Sequence, residues 1–282
     1  MNRVFGYRHD LEDHAFIRSL PETQWRSLFK ASYDKPLDRA VRDRFKIQIP
    51  IENQASQGAC VGHGGTTGAE FNELLQTGEC TPLSRQAAYI WAQEATGIRG
   101  DSGASITGLA TQAMRRGFCV EELWRYTGRY DTLPPGGREQ LQRCIADAAG
   151  RKLERFERLG NYADIAQWLQ TGQGAVLAGI PWYSGFNQKS GVINSASGRF
   201  LGYHCIPWLW QTDRTHGSRN YLELPNSWGH DWGNGGWGEM SPALIDWFFR
   251  DRNTVVVGMS NMTGDHIRTR VDFLSASYLQ RV

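Results

Sequence analysis

The chain has 282 residues, of which 40% are hydrophobic, and its formal net charge is +2 at pH 7. The length suits one large domain or two lobes around a shared cleft, and the hydrophobic content is enough for a sizeable core. The small net charge gives no reason to expect nucleic acid or an anionic membrane as a partner. The sequence also lacks an apolar run of membrane-spanning length and the apolar segment of a secretory signal.

The cysteines bear on the compartment and on metal binding. They are Cys60, Cys80, Cys119, Cys144 and Cys205. Their odd number, their wide spacing and the lack of a CxxC pair argue against a disulfide framework and against a zinc site. The sequence therefore predicts a reducing compartment, with no metal site and no cofactor.

Residues 1–36 are polar and mixed in charge. Within them, residues 19–22 have the pattern of a helix start, with Ser19 as the cap and Glu22 completing a capping box. We interpret the segment as an N-terminal extension that packs on the domain or on a partner, and the alternative is a loose tail. Residues 45–50 then have the pattern of a short strand that leads into the turn containing Gln54.

Cys60 stands where a helix over residues 60–75 is predicted to begin, six positions after Gln54. A thiol at a helix N-terminus feels the positive end of the helix dipole and unpaired backbone N–H groups, which favour the nucleophilic thiolate. The Gln54 amide offers an N–H that could stabilise an oxyanion beside the sulfur. The alternative is a buried cysteine that acts as a small hydrophobe. His63, one turn further on, is interpreted as a packing or surface histidine rather than a second base.

Two further helices are predicted over residues 84–95 and 106–116, and a glycine-containing loop joins them. At Gly103 in this loop no side chain blocks the approach of another chain, and Ala104 adds only a methyl group. The exposed backbone could bind an extended peptide as an added strand. The alternative is an ordinary turn before the next helix.

The run Pro134-Pro135-Gly136-Gly137 is the clearest breaker in the chain and marks the end of the more helical part. The elements predicted after it are a helix at 138–149, an edge strand at 153–159, a helix at 161–169, a buried strand at 175–180, a strand at 203–210 that carries His204, a polar turn at 212–219, a strand at 220–224 paired with the histidine strand, an apolar helix or strand at 242–249, and a strand at 254–258. Asn226 lies just beyond a strand end, among glycines.

Taken together, these stretches resemble the papain-like cysteine peptidases. The matching pieces are Gln54 followed by Cys60, the isolated His204, and Asn226-Ser227-Trp228-Gly229 followed by Trp232-Gly233. The resemblance spans roughly residues 37–249. Gln57 stands where the family usually has a disulfide cysteine, and Val61 stands where it usually has an aromatic residue.

The resemblance implies an α+β, papain-like two-lobe fold. A helical left lobe would cover about 50–135, and an antiparallel, β-barrel-like right lobe about 136–250, with the active-site cleft between them. The segment 1–36 would be an N-terminal extension, 37–282 the peptidase domain and 251–282 a C-terminal tail. Because the segment before residue 37 is short, we expect a bacterial or phage-like member without a long pro-region.

The resemblance also implies roles for single residues. Cys60 would be the nucleophile, His204 the acid–base residue, Asn226 the residue that orients the imidazole, and Gln54 an oxyanion donor. Substrate would be bound by a rather apolar pocket and the glycine-containing loop, with the residues Gly103, Ala104, Tyr203, Cys205 and Trp228. Trp228 would also shield the hydrogen bond between His204 and Asn226 from water. The structural alternatives are a core histidine, a turn-forming asparagine and a core tryptophan.

The resulting expectation is a thiol endopeptidase that acts on polypeptides, located in the cytoplasm or in a virion. No nucleic-acid or membrane partner is expected, and a protein partner could bind through the N-terminal extension or the C-terminal tail. The first alternative is a catalytically silent component of a larger assembly such as a phage particle. The second is a Cys–His amidase that acts on peptidoglycan.

Overall fold

The structure is a computed structural model, and it describes residues 4–19 and 37–264. The described residues form eight α-helices: α1 His14–Ser19, α2 Arg39–Gln48, α3 Cys60–Thr77, α4 Arg85–Thr96, α5 Ile106–Arg115, α6 Gly137–Ala148, α7 Tyr162–Gln170 and α8 Pro242–Phe248. Two short 3-10 helices lie at His9–Leu11 and Ser184–Phe186.

The strands of the described part are β1 Lys152–Leu153, β2 Phe156–Arg158, β3 Val176–Tyr183, β4 Val192–Ile193, β5 Phe200–Trp208, β6 Trp210–His216, β7 Arg219–Pro225, β8 Trp237–Met240, β9 Val255–Met259 and β10 Met262–Thr263. They form one four-stranded sheet in the order β2-β9-β3-β5, another in the order β4-β8-β7-β6, and the pair β1-β10. Neighbouring strands are antiparallel except β4 and β8. Within residues 4–19 and 37–264 the sheets do not close into a barrel.

Two separate clusters of buried side chains underlie the two-lobe arrangement. The first cluster contains the apolar faces of α3, α4 and α5. The second cluster is built around the sheets and α7, and it is rich in tryptophan, including Trp168, Trp182, Trp208 and Trp228. Helix α3 is buried along nearly its whole length between the other helices and strand β5.

The glycines of α3 allow this close packing. A Cβ at Gly62 would lie 2.9 Å from the Tyr89 side chain of α4, and one at Gly65 would lie 2.4 Å from Leu109 of α5. A Cβ at Gly68 would lie 2.7 Å from the Met259 sulfur of β9. Glycine weakens intrinsic helix formation, so packing against three neighbouring elements stabilises α3.

The helices predicted over residues 60–75, 84–95, 106–116, 138–149 and 161–169 are confirmed as α3 to α7, and α4, α5 and α7 each begin with a side-chain cap. The Ser84 side chain accepts a hydrogen bond from the backbone N–H of Ala87, and Ser105 accepts one from Gly108. Asn161 caps α7 in the same way. These side chains satisfy backbone donors that have no partner within the helix.

The strand predicted at residues 45–50 is wrong, because α2 covers most of that range. Asp38 caps α2 through the N–H of Ala40. Phe45 then packs on Phe71 and Trp210, at ring-centroid distances of 6.2 and 6.5 Å. Tertiary contacts of one helix face therefore outweigh the weak alternation that favoured a strand.

The polar turn predicted at 212–219 is also wrong, because β6 extends to His216 and leaves only a tight turn before β7. Strand β7 pairs with β6 and β8, whereas the histidine strand β5 pairs with β3, so the predicted pairing of the 220–224 strand is wrong as well.

The region 242–249, left open between helix and strand, is helix α8. The helix start predicted at residues 19–22 falls largely outside the described residues.

Candidate active site

Cys60 is the first residue of α3, and its side chain is fully buried. Burial raises the pKa of the thiol to about 11, although hydrogen bonding from the backbone N–H groups of Cys205, Gly6 and Val61 acts in the opposite direction. Of these groups, Val61 belongs to the start of α3, whereas Cys205 lies on β5 and Gly6 lies in the N-terminal part of the chain. In this state, however, desolvation outweighs them and favours the thiol over the thiolate.

His204 lies on β5 and Asn226 lies just beyond the end of β7, and both are buried. The Nε2 atom of His204 lies 2.9 Å from Oδ1 of Asn226. The backbone N–H of Ser227 donates to the same oxygen over 2.8 Å. Because two donors converge on Oδ1, the orientation of the Asn226 amide is fixed. The imidazole of His204 is therefore held by Asn226 through its Nε2 side.

Aromatic rings enclose the imidazole of His204. Trp228 stacks on it, with centroids 4.5 Å apart and planes 19° apart, and Trp182 contacts it edge-on at 4.9 Å. Phe5 from the N-terminal part of the chain approaches edge-on at 6.0 Å. The pattern Asn-Ser-Trp-Gly indicated Trp228, but no local signal indicated Trp182, which reaches the site through the pairing of β3 with β5.

Gln54 is held with its amide N–H pointing into the cleft. Its Oε1 atom accepts a hydrogen bond of 2.6 Å from the Ser227 hydroxyl, and its Nε2 atom donates to the backbone carbonyl of Gln57 over 2.9 Å. Nε2 also donates to the backbone carbonyl of Val4 over 3.1 Å. Sequence reasoning missed the contribution of Ser227, although its place next to Asn226 in the motif was the available signal.

The N-terminal strap, which we define as residues 4–12, lies in the cleft between the two lobes. The Ala104 N–H donates to the Gly6 carbonyl over 2.8 Å, and the Arg8 N–H donates to the Ala104 carbonyl over 2.9 Å, so the strap adds to this loop as a parallel strand. A Cβ at Gly103 would lie 2.3 Å from the Gly6 carbonyl oxygen. The loop therefore binds an extended chain, which here is the protein's own.

Two aromatic side chains of the strap fill the cleft on its sheet side. Phe5 contacts Trp228 as well as His204. Tyr7 is buried, and its ring lies so close to Gly179 of β3 that a Cβ there would be 2.3 Å away. Tyr203 lies beside the strap at a ring-centroid distance of 6.3 Å from Tyr7, and Cys205 is buried beneath it.

Glu12 anchors the end of the strap at the start of α5. Its carboxylate accepts hydrogen bonds from the backbone N–H groups of Ile106 and Thr107, at 2.5 and 2.9 Å, and from the Thr107 hydroxyl at 2.5 Å. These donors, together with the positive end of the helix dipole, favour the carboxylate, but burial is the larger effect and raises the pKa of Glu12.

The cleft remains open beyond the first residues of the strap. A cavity of about 820 Å³ lies there, and its lining includes Phe5, Asn53, Arg199, Trp228 and Asp231. None of the helices within 4–19 and 37–264 has the length and apolar character needed to cross a bilayer. The same residues contain no cluster of three or more His, Cys, Asp or Glu side chains arranged to hold a metal ion.

Comparison with known proteins identifies the family. Residues 36–246 match the family model described as "Papain family cysteine protease". The curated protein "Cysteine protease 1" of Oryza sativa subsp. japonica is 22% identical over 222 residues, which are 70% of this chain and 39% of that protein. This chain thus spans well under half of the length of that relative.

Solved structures show the same fold. Xylellain, a cysteine protease from Xylella fastidiosa, is 18% identical with a TM-score of 0.61, over 93% of this chain and 98% of that chain. ProCathepsin B S9 from Trypanosoma congolense is 16% identical with a TM-score of 0.65, and the match covers 92% of this chain and 87% of that chain. The bromelain protease from Ananas comosus, in complex with the E64 inhibitor, is 16% identical with a TM-score of 0.60, and the match covers 77% of this chain and 96% of that chain. The predicted α+β, papain-like two-lobe fold is confirmed, and the chain belongs to the papain family of cysteine proteases.

Proposed function

We propose that the chain is an endopeptidase that hydrolyses peptide bonds in polypeptides, with Cys60, His204 and Asn226 as its catalytic triad and Gln54 as an oxyanion donor. The observation that carries the proposal is the convergence of four remote parts of the chain on one cleft. Asn226 bonds to His204, Ser227 next to Asn226 bonds to Gln54, and a backbone hydrogen bond from Cys205, next to His204, acts to lower the pKa of Cys60.

The arrangement supports a covalent mechanism. Since Nε2 of His204 is bonded to Asn226, Nδ1 takes the proton from the Cys60 thiol. The sulfur bonds to the peptide carbonyl carbon, and the π electrons move to the oxygen. When this intermediate collapses, the C–N bond breaks and the amine leaves with the proton from His204. Water then attacks the thioester with His204 as the base, and the acid and the free thiol are released.

Gln54 is suited to hold the developing oxyanion together with the backbone N–H of Cys60. In the covered state, by which we mean the structure with the strap in the cleft, Nε2 of Gln54 already donates to the backbone carbonyl of Val4. A donor fixed at this position stabilises charge that develops on the oxygen in the transition state, an effect of roughly 3 kcal/mol per donor in other enzymes.

We propose that this enzyme is latent while the strap occupies the cleft. The strap runs close over the turn before Cys60, because a Cβ at Gly6 would lie 1.9 Å from the Gly58 carbonyl oxygen, and the Cys60 side chain is fully buried. Burial beneath the strap also keeps Cys60 as the thiol. Hydrolysis therefore requires the strap to leave.

The strap also indicates how a substrate would bind. The backbone of Gly103 and Ala104 would pair with the extended substrate, as Ala104 does with the strap. The position of Tyr7, against Gly179 and beside Tyr203 and Cys205, predicts a subsite for a large aromatic or apolar side chain. Trp228 would contact the part of the substrate on the other side of Cys60.

The second candidate is a catalytically silent member of the fold that serves as a binding or structural component. The observation that favours it is the same occupied cleft, in which Cys60 is covered. It differs from latency in one respect: displacing the strap would not produce hydrolysis.

The experiment compares cleavage of an unfolded protein by the unsubstituted chain and by Gly6→Ala. A Cβ at Gly6 would lie 1.9 Å from the Gly58 carbonyl oxygen, so the substitution displaces the strap. Gly160→Ala is the matched control, because its Cβ would have only an ordinary contact of 3.5 Å. We expect cleavage to rise in Gly6→Ala alone and to vanish when Cys60→Ala is added.

Three results would speak against this proposal. Cleavage that survives Cys60→Ala would contradict the triad. A strap that is displaced without any cleavage would favour the silent component. Release of peptides from purified sacculi, in place of protein cleavage, would point to a peptidoglycan amidase.

A further inference from the structure

A small cavity lies beside Asn226, among residues of α3, β5 and the end of β7. The volume open to the centre of a water molecule is about 10 Å³, which is enough for a single water. Its lining includes His63, Asn226 and Ser227, with Glu52 and Thr67. The cavity therefore touches the triad through Asn226 and helix α3 through His63.

Two buried polar atoms belong to residues that line this cavity. Nδ2 of Asn226 and Nε2 of His63 make no hydrogen bond with other protein atoms in the described part of the chain. Asn226 is 3% exposed and His63 is 1% exposed. Leaving a buried donor or acceptor without a partner is costly, and a water in a polar cavity of this size is the ordinary solution.

The hydrogen-bonding roles of the two atoms are complementary. Nδ1 of His63 lies 3.0 Å from the Ala59 carbonyl oxygen, so Nδ1 carries the proton and Nε2 has the free lone pair. Burial lowers the pKa of His63 to about 3, with nearby Arg85 and His204 acting in the same direction, so the ring stays neutral at working pH. The orientation of Asn226 makes its Nδ2 a donor.

We propose that this cavity binds one water molecule, which accepts a hydrogen bond from Nδ2 of Asn226 and donates one to Nε2 of His63. His63 is then a positioning residue for the proposed reaction. Through the water it fixes Nδ2 of Asn226, while Oδ1 of the same amide accepts the hydrogen bond from the imidazole of His204. The inference rests on the proposed function for its catalytic meaning, but the contact itself does not.

The contacts from His63 through the water to Asn226 should change the pKa of His204 in one direction. When the amide donates through Nδ2, its oxygen becomes a better acceptor, because successive hydrogen bonds polarise one another. A better acceptor at Nε2 stabilises the imidazolium and raises the pKa of His204. Losing the contact should therefore lower the pKa of His204 and move the alkaline limb of the kcat/KM profile to lower pH.

The experiment titrates the imidazole of His204 by NMR in the whole chain labelled with ¹⁵N-histidine. His63→Phe keeps a planar ring but removes the acceptor. His63→Gln can place an acceptor near the position of Nε2. Leu74→Met, three turns further along α3 and fully buried, is the control for a mere disturbance of helix packing.

We expect a lower pKa of His204 in His63→Phe, with recovery in His63→Gln and no change in Leu74→Met. On a strap-free Gly6→Ala background we expect His63→Phe to lower kcat/KM about tenfold, with the same recovery. Equal pKa values in all four proteins, or an equal fall in Leu74→Met, would overturn the inference. A chain that shows these shifts but cleaves no peptide would refute the proposed function alone.

A crystal structure of the unsubstituted chain at high resolution is the second measurement, and it does not depend on the stability of any variant. We expect a water oxygen within hydrogen-bonding distance of both Nε2 of His63 and Nδ2 of Asn226. A cavity without density at that place would overturn the inference.

Discussion

Ser227 joins two parts of the site through one side chain. Its hydroxyl donates to Oε1 of Gln54, and its backbone N–H donates to Oδ1 of Asn226. The Gln57 carbonyl can only accept, so it fixes which end of the Gln54 amide carries Nε2, and the Ser227 hydroxyl holds the opposite end. Gln54, the proposed oxyanion donor, is therefore held by Ser227, the neighbour of Asn226.

We predict that Ser227→Ala lowers kcat/KM of the strap-free enzyme about tenfold, because the Gln54 amide loses its fixed orientation. Gln54→Ala should cost about 10² to 10³ in kcat. Steady-state kinetics on a peptide substrate measure both. Ser102→Ala, whose hydroxyl bonds to a backbone carbonyl in an exposed loop, is the control. Equal kinetics for Ser227→Ala and Ser102→Ala would contradict the assigned role.

The pKa of Cys60 gives a second prediction at this scale. Burial raises it from 9.0 to about 11 in the covered state, so on the order of one thiol in ten thousand is ionised at pH 7. By linkage, strap binding is strongest at low pH and weakens as the pH rises towards about 11, because the covered state disfavours the thiolate.

The rate of Cys60 alkylation by iodoacetamide, followed against pH with mass spectrometry of the modified peptide, measures this directly. We expect slow alkylation of the unsubstituted chain at neutral pH, with a rise at high pH. In Gly6→Ala the rise should come at lower pH. Identical profiles in the two proteins would show that the strap does not control ionisation of the sulfur.

At the scale of elements, the strap is held at three places: along the loop at Gly103 and Ala104, at the start of α5 through Glu12, and at Gln54 through the Val4 carbonyl. The second anchor lies away from the sulfur and offers three donors to one carboxylate. The helix N-terminus thus contributes to latency as well as to the fold.

We predict that Glu12→Ala exposes the bond after Arg8 to trypsin, because the strap loses the anchor that follows it. Limited proteolysis with identification of the N-terminal fragment measures the effect. The exposed Glu122→Ala is the control. Resistance of Glu12→Ala equal to that of Glu122→Ala would show that the remaining contacts alone hold the strap.

The elements also show how far the sequence alone could lead. The helices with a serine or asparagine cap were predictable, because Ser84, Ser105 and Asn161 act locally. Helix α2 was not predictable, since Phe45 is fixed by contacts with Phe71 and Trp210, which are remote in sequence. For the same reason the strap was seen only as a polar extension. Its anchors are backbone groups of a distant loop.

For the site, the resemblance to the papain-like peptidases pointed to Cys60, His204, Asn226, Gln54 and Trp228, and the structure places these residues in or beside one cleft. Their catalytic roles stay proposals. Trp182 and the cavity near His63 could not be predicted, because each depends on strand pairing or on packing between the lobes, whereas the place of Ser227 next to Asn226 was a usable signal.

At the scale of the whole molecule, the helical lobe contains a buried ion pair between Arg85 and Glu70. Both side chains are fully buried, and the closest nitrogen–oxygen distance is 2.7 Å. Glu70 also accepts a hydrogen bond from the Leu83 N–H, and Glu52 lies 3.5 Å from Arg85. The pair ties α3 to the start of α4, behind Cys60.

We predict that Arg85→Ala lowers the free energy of unfolding by about 3–5 kcal/mol, because it leaves an uncompensated buried carboxyl group. Urea denaturation measures the loss. Arg143→Ala removes an exposed pair with Glu139 and should cost at most about 1 kcal/mol. A similar small loss for both variants would show that burial of the Arg85 pair contributes little.

Residues 255–263 contain strands that are built into the sheets of the whole molecule. The sequence analysis puts them in a C-terminal tail, yet β9 lies between β2 and β3 in its sheet and β10 pairs with β1. The division into an extension at 1–36 and a peptidase domain at 37–282 stays a prediction. The N-terminal strap shows that part of the extension lies within the cleft.

The central claim is that Cys60, activated by His204 in this cleft, is the nucleophile. Labelling of the Gly6→Ala chain with E64, the inhibitor bound in the bromelain structure, tests it most directly when mass spectrometry locates the adduct. The account predicts one adduct, on Cys60, that is lost in a Gly6→Ala chain also carrying His204→Ala and is much slower to form in the strap-covered chain. An adduct on another cysteine, or none on a chain whose strap is displaced, would contradict it.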